Sequence, residues 1–227
     1  MLVEDQELVR DGLRMVLETS GFIVVAEAGD GQEAIALARA LAVDRVPDVV
    51  LVDVRMPRMN GIEATAHLTQ VLPSAKVVVL TSFDVDEYVF AAVKAGASGF
   101  LLKHVSPTDL VRAVRAAHRG DAVVAPALTR RLLDRFASGP PPGQRSSRLG
   151  RLSEREVDVV RLVARGLTNT EIGERLYLSE ATVKTYVSRV RAKLSLRDRV
   201  QVAVFGYESG LVRPGDHDDG PTGPAAG

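Results

Sequence analysis

The sequence predicts an α/β domain built on a doubly wound, five-stranded parallel sheet, followed by a small all-α domain of four helices. Three observations predict this. Short apolar runs alternate five times with segments of helical periodicity between residues 1 and 120, the pattern of a parallel sheet covered by helices. One run, Val49-Val50-Leu51-Val52, is apolar at every position, as a strand buried on both faces requires. Beyond residue 150 the apolar spacing is helical throughout, and Ser and Thr stand where helices would start.

Met1-Leu2-Val3 reads as the first strand and Glu4-Asp5 as its end. Leu8, Val9, Leu13, Val16 and Leu17 share one face of a first helix, which Gly21 ends. Residues 22–26 read as the second strand, and Gly29-Asp30-Gly31 as the turn into a helix that runs to about residue 42. The Gly-x-Gly-x-x-Ala pattern at 29–34 resembles a dinucleotide fingerprint. It leaves the acids at the other strand ends unexplained, and a tight turn with Asp30 as helix cap accounts for it. Pro47 precedes the third strand, which delivers Asp53. Asn60, with Glu63 three places on, opens the third helix, and Pro73-Ser74 closes it. Residues 76–81 form the fourth strand, 86–95 a helix closed by Gly96, and 99–103 the fifth strand. Ser106-Pro107 starts a fifth helix, with Pro at its tolerated first position, and Gly120 ends it.

The 227 residues allow two domains. Without Cys there are no disulfides and no thiolate chemistry, and the four His lack metal-ligand spacing. No apolar run approaches the roughly 18 residues of a membrane span, and no signal peptide is visible. The expectation is a cytoplasmic protein with no membrane partner. The net charge of zero conceals an asymmetry: residues 145–199 hold thirteen Lys/Arg against seven Asp/Glu. The basic part points to a polyanionic partner there.

In open α/β sheets the ligand crevice lies beyond the carboxyl ends of the strands. Those ends here carry Glu4 and Asp5, Asp53, Thr81 and Lys103. Three carboxylates at one edge repel one another unless a cation sits among them, and an oxygen-only set suits Mg2+. Lys103 and Thr81 offer a point charge and a hydroxyl, both apt for phosphoryl oxygens. A carboxylate can attack phosphorus to form an acyl phosphate. Taken singly, Asp5 reads as a helix cap and Lys103 as a surface charge; their coincidence at the strand ends favours a site.

Residues 2–6 (Leu-Val-Glu-Asp-Gln), 52–63 (Val-Asp-Val-Arg-Met-Pro-Arg-Met-Asn-Gly-Ile-Glu), 79–83 (Val-Leu-Thr-Ser-Phe) and 95–103 (Ala-Gly-Ala-Ser-Gly-Phe-Leu-Leu-Lys) resemble the receiver domain of two-component response regulators. The resemblance covers about residues 1–120 and implies a flavodoxin-like strand order 2-1-3-4-5. It further implies that Asp53 accepts a phosphoryl group from a sensor histidine kinase. Glu4, Asp5, Asp53 and the backbone carbonyl of Arg55 would hold Mg2+, and Lys103 and Thr81 would bind phosphoryl oxygens. Phe100 would turn inward behind Thr81 as a switch. In that order the first strand is central, so three apolar residues before the acids make it short and should cost stability. His104 stands where many receivers have Pro.

Residues 121–151 are expected to hold a helix at 125–136 and a Pro/Gly/Ser linker at 138–147. Residues 152–212 read as four helices. Ser153 with Glu156, and Thr168 with Glu171, are capping boxes, Ser179 caps the third helix, and 197–208 is the fourth. Residues 213–227 lack apolar content and read as a disordered tail. On the third helix Val183, Val187, Val190 and Leu194 form one stripe. Lys184, Thr185, Ser188 and Ala192 lie opposite, flanked by Arg189, Arg191 and Lys193. Short polar side chains with cations at the edges suit a helix entering a DNA major groove; a merely solvated basic face is the plain alternative.

Residues 152–157, 163–172 and 178–187 (Leu-Ser-Glu-Ala-Thr-Val-Lys-Thr-Tyr-Val) resemble the LuxR-type helix-turn-helix of NarL/FixJ regulators. The resemblance implies that Lys184, Thr185 and Ser188 face bases and that Thr182, Arg189 and Lys193 serve phosphates. It implies that Val200, Val204 and Phe205 pair two copies on double-stranded DNA, at inverted-repeat sites. Tyr186 and Gly173 stand where His and Ala are usual. The expectation is a phosphorylation-controlled transcription regulator that is not an enzyme, beyond slow self-dephosphorylation. A nucleotide-dependent enzyme and a phosphorylation-independent DNA-binding protein are the rival readings.

Overall fold

The computed structural model describes residues 1–41, 45–81, 86–121 and 147–212. The expected helix at 125–136, the expected linker at 138–147 but for its last residue, and the tail from 213 lie outside them. The chain divides into two compact units, one with the sheet and residues 195–201, the other with the C-terminal helices up to residue 194 and from residue 202.

In the first unit the order is β1 (Leu2–Val3), α1 (Glu7–Thr19), β2 (Glu27–Ala28), α2 (Gly31–Ala40), β3 (Val49–Asp53), α3 (Gly61–Val71), β4 (Lys76–Thr81), α4 (Asp86–Lys94), β5 (Gly99–Leu102) and α5 (Pro107–Arg119). The sheet runs β2-β1-β3-β4-β5, every pairing parallel. Period-two alternation divides the apolar side chains between two layers. Val3, Val50, Val52 and Val77 pack on one face with Ala34, Ile35, Ala64 and Leu68 of α2 and α3. Leu2, Leu51, Val78 and Leu80 pack on the other with Leu17 of α1 and Leu110, Val114 and Ala117 of α5.

The second strand departs from expectation. Leu2 pairs with Glu27 and Val3 with Ala28, so the ladder begins where residues 22–26 were expected to end. The two-residue β1 sets that register: a strand exists only as far as it has a partner. The first strand is as short as expected, yet Met1, Leu2, Val3 and Glu4 are all buried.

Helix starts follow the capping logic. The Asp30 carboxylate accepts from the N–H of Gln32 and Glu33, and the Asn60 carbonyl from Ile62 and Glu63. Ser106 caps α5 ahead of Pro107, and Gly120 ends it in the left-handed region. Gly61 has a sharper role. A Cβ there would lie 1.8 Å from the Asp53 carbonyl oxygen, and the Gly61 N–H donates to Val54 O at 2.9 Å. Only glycine lets α3 start this close to the strand that ends in Asp53.

In the second unit a 3-10 turn (Ser147–Arg151) precedes α6 (Glu154–Ala164), α7 (Asn169–Leu176), α8 (Glu180–Leu194) and α9 (Arg199–Glu208). Both expected capping boxes form, Ser153 with Glu156 and Thr168 with Glu171. Val159, Val160 and Val163 of α6, Ile172 of α7, and Val183, Val187, Val190 and Leu194 of α8 are buried. Gly206 of α9 sits against Ala164 and Val160, where a Cβ would meet Ala164 Cβ at 2.6 Å.

Gly61→Ala is expected to destabilise the first unit by about 3 kcal/mol, the upper end for overpacking, because the obstacle is backbone rather than a yielding side chain. A denaturant titration checks this; an unchanged midpoint would show that the loop re-routes at little cost.

Candidate functional site

The strand ends bring together the residues that the sequence placed there. Glu4 follows β1 and is completely buried, Asp53 ends β3 at 5% exposure, and Thr81 ends β4, also buried. Lys103 follows β5 and its N–H donates to Thr81 O at 2.7 Å. The Lys103 ammonium stands 2.7 Å from Glu4 Oε2 and 3.0 Å from Asp53 Oδ1. Asp5 is exposed at the rim, and ligand oxygens of Glu4, Asp5 and Asp53 lie within 4.8 Å of one another. Arg55, two residues past Asp53, has its side chain in solvent.

Three carboxylates against one ammonium leave the cluster short of positive charge. Burial pushes the Asp53 carboxyl above the usual aspartate range, against the pull of Lys103. Burial also pushes Glu4 up, and the Asp53 charge adds to that against the Lys103 hydrogen bond. Burial alone would lower Lys103, but its bonds to Glu4 and Asp53 outweigh it and hold the ammonium above its ordinary value. An excess of buried negative charge with hard oxygen donors is the chemistry of a divalent cation site of the Mg2+ kind.

One feature escaped the sequence. Asp30 is buried and pairs with Arg58, a non-glycine residue with φ 61° in the loop after β3. The Gly31 N–H donates to Met59 O nearby, so the loop that follows Asp53 is tied to the start of α2. The 28 positions that separate the partners hide the pair from any local pattern. Phe100, which the sequence named as a switch, is buried in this structure.

In the second unit α8 presents Lys184, Thr185, Ser188, Arg189 and Lys193 to solvent, opposite its buried valines. Ser179 caps it, accepting from the Thr182 N–H, and the two hydroxyls lie 2.8 Å apart. Lys184 pairs with Glu180 at 2.6 Å, and the Arg189 guanidinium lies 6.0 Å from the centre of the Tyr186 ring. Lys193 has a partner that the sequence did not show: its ammonium is 2.6 Å from Glu156 Oε2. That carboxylate is buried and also accepts from the Ser153 N–H and hydroxyl. Lys193 therefore ties α8 to the start of α6. Val200, Val204 and Phe205, which were expected to pair two copies, are 4%, 7% and 4% exposed in the single chain. Gly206 is seated on α6, and Arg148 lies over the Phe205 ring at 5.2 Å.

Residues 1–115 match the response regulator receiver domain family, and residues 150–205 the bacterial regulatory proteins of the luxR family. The chain is a two-component response regulator. It is 40% identical over 213 residues to the transcriptional regulatory protein YxjL of Bacillus subtilis, covering 93% of this chain and 96% of that one. It is 36% identical over 214 residues to the response regulator protein VraR of Staphylococcus aureus, covering 94% and 98%. A solved structure of two RcsB dimers bound to two parallel DNAs matches with 25% identity and a TM-score of 0.50, covering 91% of this chain and 96% of that one. The response regulator thus joins a receiver to a LuxR-type DNA-binding domain. No helix among its described residues is long and apolar enough to cross a membrane.

Two outcomes follow from the electrostatics. Because the folded Asp53 carboxyl is raised, its ionisation opposes folding as pH climbs through its folded value. In chelator-containing buffer, Asp53→Asn should raise the melting temperature at neutral pH, by about 0.5–2 kcal/mol in stability, and the gain should shrink toward acid. Glu156 behaves oppositely. Burial raises it, but Lys193 and Ser153 outweigh burial and hold it below its ordinary value. Its contribution is present above the unfolded pKa and lost as pH falls through the folded one. Glu156→Gln should cost about 1–3 kcal/mol at pH 7 and much less in acid, as thermal melts across pH will read.

Proposed function

We propose that this response regulator takes a phosphoryl group onto Asp53 from the phosphohistidine of a partner histidine kinase, and that the acyl phosphate controls its binding to DNA. The observation that carries this reading is the Lys103 ammonium bridging Asp53 and Glu4 at the carboxyl edge of the sheet. In the transfer an Asp53 carboxylate oxygen forms a new P–O bond while the P–N bond to the kinase imidazole breaks. Lys103, held charged, would meet the incoming phosphoryl oxygens, and the Thr81 hydroxyl would donate to them. Glu4, Asp5, Asp53 and the Arg55 carbonyl would hold Mg2+, which when bound offsets negative charge on the reacting oxygens. The buried acids, short of positive charge, fit that ion.

A dianionic group on Asp53 adds strong acceptors beside Thr81 and the loop after β3. The resulting change is bounded by the free energy that the phosphoryl group contributes differently to the two states. In the second unit Lys184, Thr185 and Ser188 would face bases, while Thr182 and Arg189 would meet phosphates. The likeness to DNA-bound RcsB dimers supports a homodimer on double-stranded DNA at inverted-repeat sites. A kinase-fed regulator of transcription acts in the cytoplasm, and beyond slow self-dephosphorylation we assign it no catalysis.

Intact mass after incubation with acetyl phosphate and Mg2+ tests the first step: a phosphoryl adduct on wild type and none on Asp53→Ala. An adduct on both, or on neither, overturns the assignment. For the second unit, selection from a random duplex pool should show Lys184→Ala losing about 1–3 kcal/mol of base preference. Arg189→Ala should weaken all sequences alike and reduce the salt slope by about 1. The reverse pattern would exchange the two roles.

A further inference from the structure

The corner between α7 and α8 holds a residue that the packing does not explain. Tyr177 is the C-cap of α7, with φ 55° and ψ 46° in the left-handed region. That conformation is ordinarily given to Gly or Asn, because other side chains crowd the backbone there. The turn itself does not depend on the ring. Its shape rests on the Tyr177 and Leu178 N–H groups, which both donate to Gly173 O, the second at 2.8 Å. It rests also on Gly173, where a Cβ would lie 2.6 Å from Leu178 O. Nor does the ring gain burial: Tyr177 is 94% exposed, the most exposed large hydrophobic residue among the described ones. Backbone strain and an uncovered aromatic are thus combined at one position, with no return inside the chain.

The surroundings say what an outside partner would be. Two residues on, Ser179 caps α8, whose outward side chains include Lys184, Thr185, Ser188 and Arg189. The corner is therefore continuous in the chain with the cationic helix assigned to DNA. Tyrosine hydroxyls are among the neutral donors that fix a protein on the DNA backbone, and helix N-termini work beside them. We propose that Tyr177 is a DNA backbone contact: its hydroxyl donates to a phosphate oxygen at the edge of the groove that α8 enters, and its ring lies against the adjoining sugar. This rests on the DNA-binding reading of α8. It adds a contact that carries no charge and reads no base.

The test uses the full chain and a fluorescein-labelled, mixed-sequence duplex of about 30 base pairs, by anisotropy between about 50 and 200 mM salt. Wild type is compared with Tyr177→Phe, Tyr177→Gly and Arg189→Ala, and a thermal melt accompanies each. Tyr177→Phe should weaken binding about tenfold, the loss expected for one hydrogen bond to a charged group. Tyr177→Gly should weaken it at least as much while raising the melting temperature, because glycine relieves the left-handed strain. Neither should alter the salt slope, whereas Arg189→Ala should flatten it. A Tyr177→Phe variant that binds like wild type overturns the phosphate contact. A Tyr177→Gly variant that melts lower overturns the claim that the ring serves nothing inside the fold, and leaves the residue a structural part of the turn. Absence of binding by wild type, in a chain that melts cooperatively, overturns the DNA reading itself, and this contact with it.

Discussion

The Lys103 ammonium, set between Glu4 and Asp53, is the interaction on which the first unit depends. An isolated buried carboxylate is costly enough to take up a proton rather than stay charged. Two of them side by side at the end of a parallel sheet are held by one cation, 2.7 and 3.0 Å away. Removing that cation would leave both acids buried without their partner, the case in which a broken buried pair costs about 3–5 kcal/mol. Yet Lys103 does not complete the neutralisation, and both carboxyls remain above their ordinary values. The cluster is stable enough to exist and incomplete enough to take a further positive charge. Both properties suit the proposed phosphoacceptor role, since a fully paired Asp53 would be a poor nucleophile.

The surrounding fold keeps that balance by restricting the backbone around Asp53. β3 is fixed by β1 and β4 on either side, and Val54 N–H donates to Leu80 O at 3.0 Å just past the strand end. Gly61 then admits the start of α3 against the Asp53 carbonyl. Arg58, with its positive φ, pairs with buried Asp30 and holds the far side of the loop. The chain on both sides of Asp53 is therefore anchored, and a new group on that carboxylate would strain its neighbours rather than swing freely. This is how a charge change of local extent can bias a larger equilibrium.

Much of this was legible in the sequence, because the signals are local. Val49-Val50-Leu51-Val52-Asp53 announces a doubly buried strand with an acid at its end, and the caps at Asp30, Asn60, Ser106, Ser153 and Thr168 were readable from residue type and spacing. Strand two was not. Its apolar residues 22–26 have the composition of a strand, but pairing with the short β1 decides which residues join the ladder, and that is a relation between distant segments. The same limit hid Arg58–Asp30 and Lys193–Glu156, pairs separated by 28 and 37 positions.

Lys193 changes the electrostatic picture of α8. An exposed cation at the edge of a recognition helix invites assignment to phosphate, and its composition alone cannot distinguish that from a structural tie. Here its partner is a buried carboxylate that also receives the Ser153 N–H and hydroxyl. Drawing Lys193 to DNA would leave Glu156 buried with one donor fewer, so the tie opposes the phosphate role. It favours instead a fixed angle between α6 and α8. On the proposed DNA reading, holding the phosphate backbone would then fall to Thr182, Arg189 and the corner that precedes α8. In a helix-turn-helix the early turns of the second helix are also those that meet base edges. The tie would set the helix orientation before DNA arrives, and the groups proposed to contact DNA would fix its register once it does.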